Sequence, residues 1–149
     1  MASPATLAAR RQIWAAIQPL AEQRGLDPLF VYALVRVESG FDPRAQHGEN
    51  RGLLQIKPRA WKAVSNLSYE TGVWNWRTNL EVGMDGLAAT KKALAEKGAF
   101  SYPLLWASYH FGFDYVAAHG FDMSRIPRPS DPISYKLWAG DQHPISPPK

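Results

Sequence analysis

Residues 38–45 read Glu-Ser-Gly-Phe-Asp-Pro-Arg-Ala, and residues 52–58 read Gly-Leu-Leu-Gln-Ile-Lys-Pro. The segment before the first stretch is mainly apolar and opens with Asp27-Pro28, a carboxylate cap followed by a proline that suits the first helical position. Gly40 is a typical helix stop signal. The spacing therefore predicts a helix over residues 28–39, with Glu38 in its last turn.

Helical spacing continues on both sides of these stretches, and no run alternates apolar and polar residues for long enough to predict a strand. The predicted helices cover residues 4–24, 28–39, a short segment from 58, 79–97 and 103–119, with a break at Gly112. Pro19 is expected to bend or split the first of them. Asn79 is predicted to cap the long helix that ends at Gly98.

The composition is that of one folded domain. The chain has 149 residues, of which 46% are hydrophobic and 20% charged, which excludes a disordered chain. Half of its 12 prolines lie from Pro127 onward, which predicts an irregular, extended tail. The fold class is therefore predicted to be mainly α with a proline-rich C-terminal tail.

Several classes of function are disfavoured by the side chains present. The chain has no cysteine, which excludes disulfides, thiolate nucleophiles and sulfur-ligated zinc. Its four histidines have no metal-ligand spacing, so we predict neither a metal nor another cofactor. The net charge of +4 suits an anionic polymer, either nucleic acid or cell wall. The basic residues are scattered along the chain, which argues against nucleic acid.

Glu38 is the carboxylate best placed for acid chemistry. Its helical face carries Val31, Leu34 and Val35 in the preceding turns, so burial and the negative end of the helix dipole are both expected to raise its pKa. A carboxylic acid that is neutral near pH 7 can act as a general acid. The alternative is a solvated glutamate, or one paired with Arg36, Arg44 or Arg51.

Four blocks of sequence together resemble the soluble lytic transglycosylases and the related goose-type lysozymes. They are residues 38–45, residues 52–58, Asn79-Leu80 with Gly83, and Ser108-Tyr109-His110-Phe111-Gly112. Their order and rough spacing agree with the family over about residues 26–116. The resemblance implies a lysozyme-like helical fold that cleaves the β-1,4 bond between N-acetylmuramic acid and N-acetylglucosamine in peptidoglycan. It also implies a catalytic domain over 26–120, between an N-terminal helix over 1–25 and an extension over 121–149.

The resemblance assigns Glu38 as the catalytic acid and base, and it implies a set of residues that contact the glycan. In a lytic transglycosylase the same carboxyl would protonate the glycosidic oxygen and then deprotonate the muramic acid 6-hydroxyl, giving a 1,6-anhydro product. The expected substrate-binding residues are Ser39, Gly52, Leu54, Gln55, Tyr109, His110, Trp74, Trp76 and Tyr135. Gly52 would let backbone approach the sugar, Gln55 would hydrogen-bond in the cleft, and Tyr109 would bond Glu38 or an N-acetyl group.

Two departures from the family pattern leave the reaction type open. The loop over 46–51 carries a second acid, Glu49, which would activate water in an inverting lysozyme or would only pair with Arg44 or Arg51. His110 and Phe111 replace the usual Asn and Ala. An imidazole with an ordinary pKa of about 6.5 would make the activity depend on pH in that range.

The remaining expectations concern partners and delivery. We expect a monomer that acts on peptidoglycan strands, with no membrane span. The stretch over 1–17 carries Arg10 and Arg11 and lacks the apolar run of a signal peptide. The hypothesis is a phage enzyme, carried on the virion or released from the host as an endolysin; the alternative is a piece of a longer exported enzyme. A third possibility is a wall-binding or structural virion module that no longer cleaves.

Overall fold

The computed structural model describes residues 6–149, so the predicted helix start at Pro4 lies outside the described residues. The described chain is mainly helical, which confirms the predicted fold class. Its α-helices are α1 (Leu7–Gln23), α2 (Pro28–Ser39), α3 (Pro58–Val64), α4 (Tyr69–Gly72), α5 (Trp76–Glu96), α6 (Tyr102–Phe111), α7 (Phe113–Ala118) and α8 (Pro132–Ala139). The rest comprises a short 3-10 turn over Met123–Arg125, loops and one small hairpin.

Helix α2 has the predicted bounds because both of its end signals are local. The Asp27 side chain accepts a hydrogen bond from the Leu29 backbone N–H, and Pro28 occupies the first turn. Gly40 ends the helix with a φ of 61°, a left-handed conformation that glycine adopts without strain. Residues 30–35 are all buried, so α2 runs through the core and delivers Glu38 at its end.

Helix α1 packs against α2 and α5 through one stripe of its surface. Its buried residues are Ile13, Ala16, Ile17 and Ala21. Pro19 does not split the helix, contrary to one expectation, and it lies on the exposed side.

Helix α5 is the central support of the site, because it contacts α1, α3 and α6. It begins earlier than predicted: Asn75 is its N-cap, and the Asn75 side chain accepts a hydrogen bond from the Thr78 N–H. Asn79, the predicted cap, lies inside the helix and is fully buried. The local sequence has two asparagines four residues apart, and the cap signal does not tell them apart.

The loop between α2 and α3 contains a short antiparallel hairpin, β1 (Gln46–His47) and β2 (Asn50–Arg51). Two-residue strands give no alternating pattern in the sequence, which is why none was predicted. Gly48 lies in the turn with a φ of 62°. The hairpin leads directly into residues 52–56, which return beneath it.

The proline-rich tail is more ordered than expected. Helix α8 forms within it, where Asp131 caps the helix through the Ser134 N–H and Pro132 takes the first position. Leu137 is buried, and α8 packs against α6 and α2. Residues from α1, α5 and α8 belong to one hydrophobic core. The division at residues 26–120 stays a prediction.

Candidate active site

Glu38 lies at the C-terminal end of α2, and its side chain is partly buried. Among the described residues, no basic side chain forms an ion pair with it. The Arg51 Nη1 atom, from one of the expected partners, lies 3.2 Å from Glu70 Oε2 instead. Burial raises the pKa of the Glu38 carboxyl to about 7. The carboxyl can therefore hold a proton near neutral pH.

Tyr109 reaches the site from α6. Its hydroxyl donates a hydrogen bond to the Leu54 carbonyl oxygen, and not to Glu38 as one reading of the sequence predicted. Burial, and after it the negative charge of Glu38, raise the pKa of the phenol well above its usual value. The phenol therefore keeps its proton and remains a hydrogen-bond donor near the acid.

Asn79 holds residues 51–56 in place through hydrogen bonds, a role that the sequence did not predict. Its Oδ1 atom accepts a hydrogen bond from the Leu54 N–H at 2.9 Å, and its Nδ2 atom donates to the carbonyl oxygens of Arg51 at 3.1 Å and Val73 at 3.0 Å. One buried amide thus satisfies three backbone groups. The Asn-Leu family block was the available signal, but we interpreted it as a helix cap.

Gly52 and Leu54 are needed for packing within the protein. Gly52 has a φ of 80°, and a Cβ atom there would overlap the Asn79 amide and lie 2.8 Å from the Val73 carbonyl oxygen. The Leu54 side chain is fully buried against Gly83. The Asn79 side chain therefore accounts for the glycine, and the Leu54 side chain packs in the core, while the contacts of these two residues with sugar stay predictions.

The Gln55 amide is occupied within the loop, whereas the sequence predicted that it would face substrate. Its Nε2 atom donates to the carbonyl oxygens of Ala45 at 3.0 Å and Gly52 at 2.9 Å. Its Oε1 atom lies 2.8 Å from Nδ1 of His47. Because the oxygen can only accept, His47 carries its proton on Nδ1. Gln55 shapes the loop.

Ser39, next to the acid, is likewise engaged by the protein. Its hydroxyl donates to the Val35 carbonyl oxygen at 3.1 Å, and the residue is buried. This is the ordinary bond of a serine to the preceding helical turn. The contact of Ser39 with substrate stays a prediction.

The comparisons with known proteins concern the family and the fold of the chain. The transglycosylase SLT domain family matches residues 15–120. The chain belongs to this family. Among solved structures, it is similar to an inactive glutamate-to-glutamine mutant of the lytic transglycosylase Slt from Pseudomonas aeruginosa, with a TM-score of 0.63 and 20% identity. The match covers 88% of this chain and 20% of that one, so the chain spans about a fifth of the solved protein. No curated protein sequence matches it.

The second acid of this SLT domain, Glu49, is exposed in the turn of the hairpin. Its backbone carbonyl oxygen accepts a hydrogen bond from the Tyr69 hydroxyl at 2.9 Å. Among the described side chains, neither Arg44 nor Arg51 forms an ion pair with it, so the expected surface pair is not observed. Its role in catalysis stays a prediction.

Trp74 and Trp76, two residues apart, would point the same way in an extended segment, but they lie on different sides of the start of α5. Trp74 is 37% exposed, lines a cavity of about 390 Å³ with Arg44, and stacks with the Arg51 guanidinium at 5.6 Å. Trp76 faces a groove along α1 and stacks with Arg77 at 4.9 Å. The segment is a helix start and not an extended strand.

His110 stacks on Trp106 with ring centroids 5.5 Å apart and meets the edge of Phe111. Burial lowers the pKa of His110 below its usual value, so the imidazole is neutral near pH 7 and the predicted titration near pH 6.5 moves to lower pH. Tyr135 is exposed on α8 beside Arg128 and Lys136. Their contacts with glycan stay predictions.

Two negative findings apply to residues 6–149. No helix there is both long enough and apolar enough to cross a membrane. In the same range, the histidine and acidic side chains form no group of three that could hold a metal ion.

Proposed function

We propose that this SLT domain cleaves the β-1,4 bond between N-acetylmuramic acid and N-acetylglucosamine in peptidoglycan, as a lytic transglycosylase. The observation that supports it most is the Glu38 carboxyl, whose pKa is raised by burial to about 7 and which has no ion-pair partner among the described residues. An acid in this state has a proton to give at neutral pH and can take one back.

The reaction needs one carboxyl and no water. Glu38 donates its proton to the glycosidic oxygen as the bond to the muramic acid C1 breaks and positive charge develops on that sugar. The Glu38 carboxylate then removes the proton of the C6 hydroxyl, and O6 bonds to C1. The products are a released N-acetylglucosamine end and a 1,6-anhydro muramic acid end, and Glu38 is protonated again.

The surroundings of Glu38 support this cycle in a specific way. The Tyr109 phenol stays protonated and is held by the Leu54 carbonyl, so it does not take the Glu38 proton. Asn79 and Gln55 fix residues 51–56, which holds in place the Leu54 carbonyl that Tyr109 bonds. Preorganised groups of this kind spare the reaction a reorganisation cost.

Hydrolysis by Glu38 and Glu49 is the second candidate. It is favoured by the exposure of Glu49 in the hairpin turn and by the lack of an ion pair to it among the described residues. An inverting lysozyme of this type would use Glu49 to activate a water molecule on the opposite face of the sugar. Its products would carry reducing ends.

Mass spectrometry of digested, purified peptidoglycan tests the proposal. Wild type is expected to release 1,6-anhydro muropeptides, Glu38→Gln none, and Glu49→Gln the same products as wild type. Reducing ends that vanish in both variants would replace the proposal with the two-carboxylate lysozyme. No products from folded wild type, together with retained binding to the wall, would indicate a module that does not cleave.

A further inference from the structure

A cavity of about 490 Å³ lies at the start of α8. We call it the α8 pocket. Its lining residues are Arg128, Pro129, Ser130, Pro132, Tyr135 and Lys136. Two cations, one hydroxyl and one phenol therefore face a single space, and this combination suits a ligand with a negatively charged group.

The wall of the α8 pocket is built from stacked rings. The Trp138 indole N–H donates to the Ile126 carbonyl oxygen at 3.0 Å, which anchors the first ring. Tyr135 stacks on Trp138 with centroids 5.9 Å apart, and the Arg128 guanidinium lies 5.5 Å from the Tyr135 ring. This stack holds the guanidinium at the edge of the cavity.

The two cations of the α8 pocket, Arg128 and Lys136, take no part in the ion pairs of the described residues. Asp131, the acid nearest in sequence, directs its carboxylate to the Ser134 N–H as the helix cap. Two adjacent cations without a counter-ion attract an anion from solution.

We propose that the α8 pocket binds a carboxylate of the peptide stems that peptidoglycan carries on its muramic acid residues. This rests on the proposed function, because the stems belong to the proposed substrate. The planar Arg128 guanidinium matches a carboxylate through two parallel hydrogen bonds, and Lys136 adds a second charge. Peptide-bearing strands would then bind more tightly than bare glycan.

The test measures binding without turnover, by co-sedimentation of Glu38→Gln protein with insoluble peptidoglycan. Arg128→Ala with Lys136→Ala is compared with a matched loss of two exposed cations, Lys92→Ala with Lys97→Ala. We expect about tenfold weaker binding for the first pair and less than twofold for the control, with the difference falling as salt is added. Removal of the stems by an amidase, measured on glycan strands attached to beads because the cross-links are lost with the stems, is expected to abolish the difference.

Three results would overturn this inference. The first is equal binding by the two double variants. The second is a difference in binding between the two double variants that survives removal of the stems. The third is a difference that requires a phosphate polymer on the wall and therefore disappears after hydrofluoric acid treatment. Because binding is measured in a variant that is not required to cleave, failure of the proposed function shows separately, as wild type that yields no products.

Discussion

The two halves of the candidate site treat their polar groups in opposite ways. In the stretch over 51–56, side chains from other parts of the chain satisfy the backbone: the Asn79 amide bonds it in two places, at the Leu54 N–H and the Arg51 carbonyl, and the Tyr109 hydroxyl bonds the Leu54 carbonyl. Glu38, across from Tyr109, has neither an arginine partner nor a lysine partner among the described residues.

This difference separates the frame of the site, which consists of residues 51–56 with Asn79 and Tyr109, from its reactive group, the Glu38 carboxyl. Buried polar groups are normally hydrogen-bonded, since an unsatisfied one costs about 1–3 kcal/mol. The Leu54 backbone follows that rule, because side chains bond both its N–H and its carbonyl oxygen. Glu38 has no ion pair among the described residues, and an ion pair would lower the pKa of the carboxyl and remove its proton at neutral pH.

The largest expected effect is that of Glu38→Gln on cleavage. The amide keeps the shape of the side chain but has no acidic proton, so the rate of peptidoglycan cleavage should fall by about 10²–10⁴-fold or more. The rate of muropeptide release measures it. A cleavage rate within tenfold of wild type would mean that Glu38 is not the catalytic acid.

Variants of two asparagines, Asn79 in α5 and Asn75 at its N-cap, test how much Asn79 stabilises the frame. Asn79→Ala removes a fully buried amide and leaves the Leu54 N–H and the Val73 carbonyl without it, which should lower the free energy of unfolding by about 3 kcal/mol. Asn75→Ala removes only a helix cap and should cost about 1 kcal/mol. Denaturant unfolding measures both.

Equal costs for the two asparagines would contradict the role given to Asn79. The sequence alone predicts that Asn79 is the cap and would therefore assign it the smaller loss. The free energies of unfolding of the two variants distinguish a helix cap from a buried, hydrogen-bonded amide without any assay of activity.

The pH dependence of the free energy of unfolding tests the protonation state of Glu38, the reactive group of the site. A glutamate whose pKa rises from 4.5 unfolded to about 7 folded holds its proton more tightly in the folded state, so wild type loses stability as pH rises between these values. Glu38→Gln lacks this loss. The variant should match wild type near pH 4 and exceed it by about 2 kcal/mol above pH 7, after allowance for partial exposure.

Thermal or denaturant unfolding at a series of pH values measures this difference. A constant offset between the two proteins at every pH would show that the Glu38 carboxyl has an ordinary pKa.

The smallest expected effect is that of Tyr109→Phe. The change removes one hydrogen bond to the Leu54 carbonyl and should lower the free energy of unfolding by about 1 kcal/mol. The 1,6-anhydro products should remain, because Glu38 keeps its acid. Loss of cleavage as complete as in Glu38→Gln would place the phenol in the chemistry itself.

The parts of the structure that the sequence predicted depend on local signals. Helix α2 has the predicted bounds because Asp27, Pro28 and Gly40 act on their own neighbours. The raised pKa of Glu38 was predicted because the apolar face before it is read directly from helical spacing.

The features that the sequence did not predict depend on contacts between distant segments. Gly52 is needed because Asn79 lies against it, and Gln55 is engaged because the hairpin brings His47 to it. Helix α8 forms because Pro132 suits a first turn and Leu137 packs in the core, whereas the number of prolines predicted an extended tail without a long helix. Trp74 and Trp76 diverge because α5 begins between them.

The central claim is that the Glu38 carboxyl keeps its proton up to neutral pH. Carbon-13 NMR titration of the glutamate side-chain carboxyls, with Glu38→Gln to assign the signal, measures this directly. The account predicts a midpoint near pH 7 for Glu38. A midpoint at or below the ordinary glutamate value of 4.5 would contradict it.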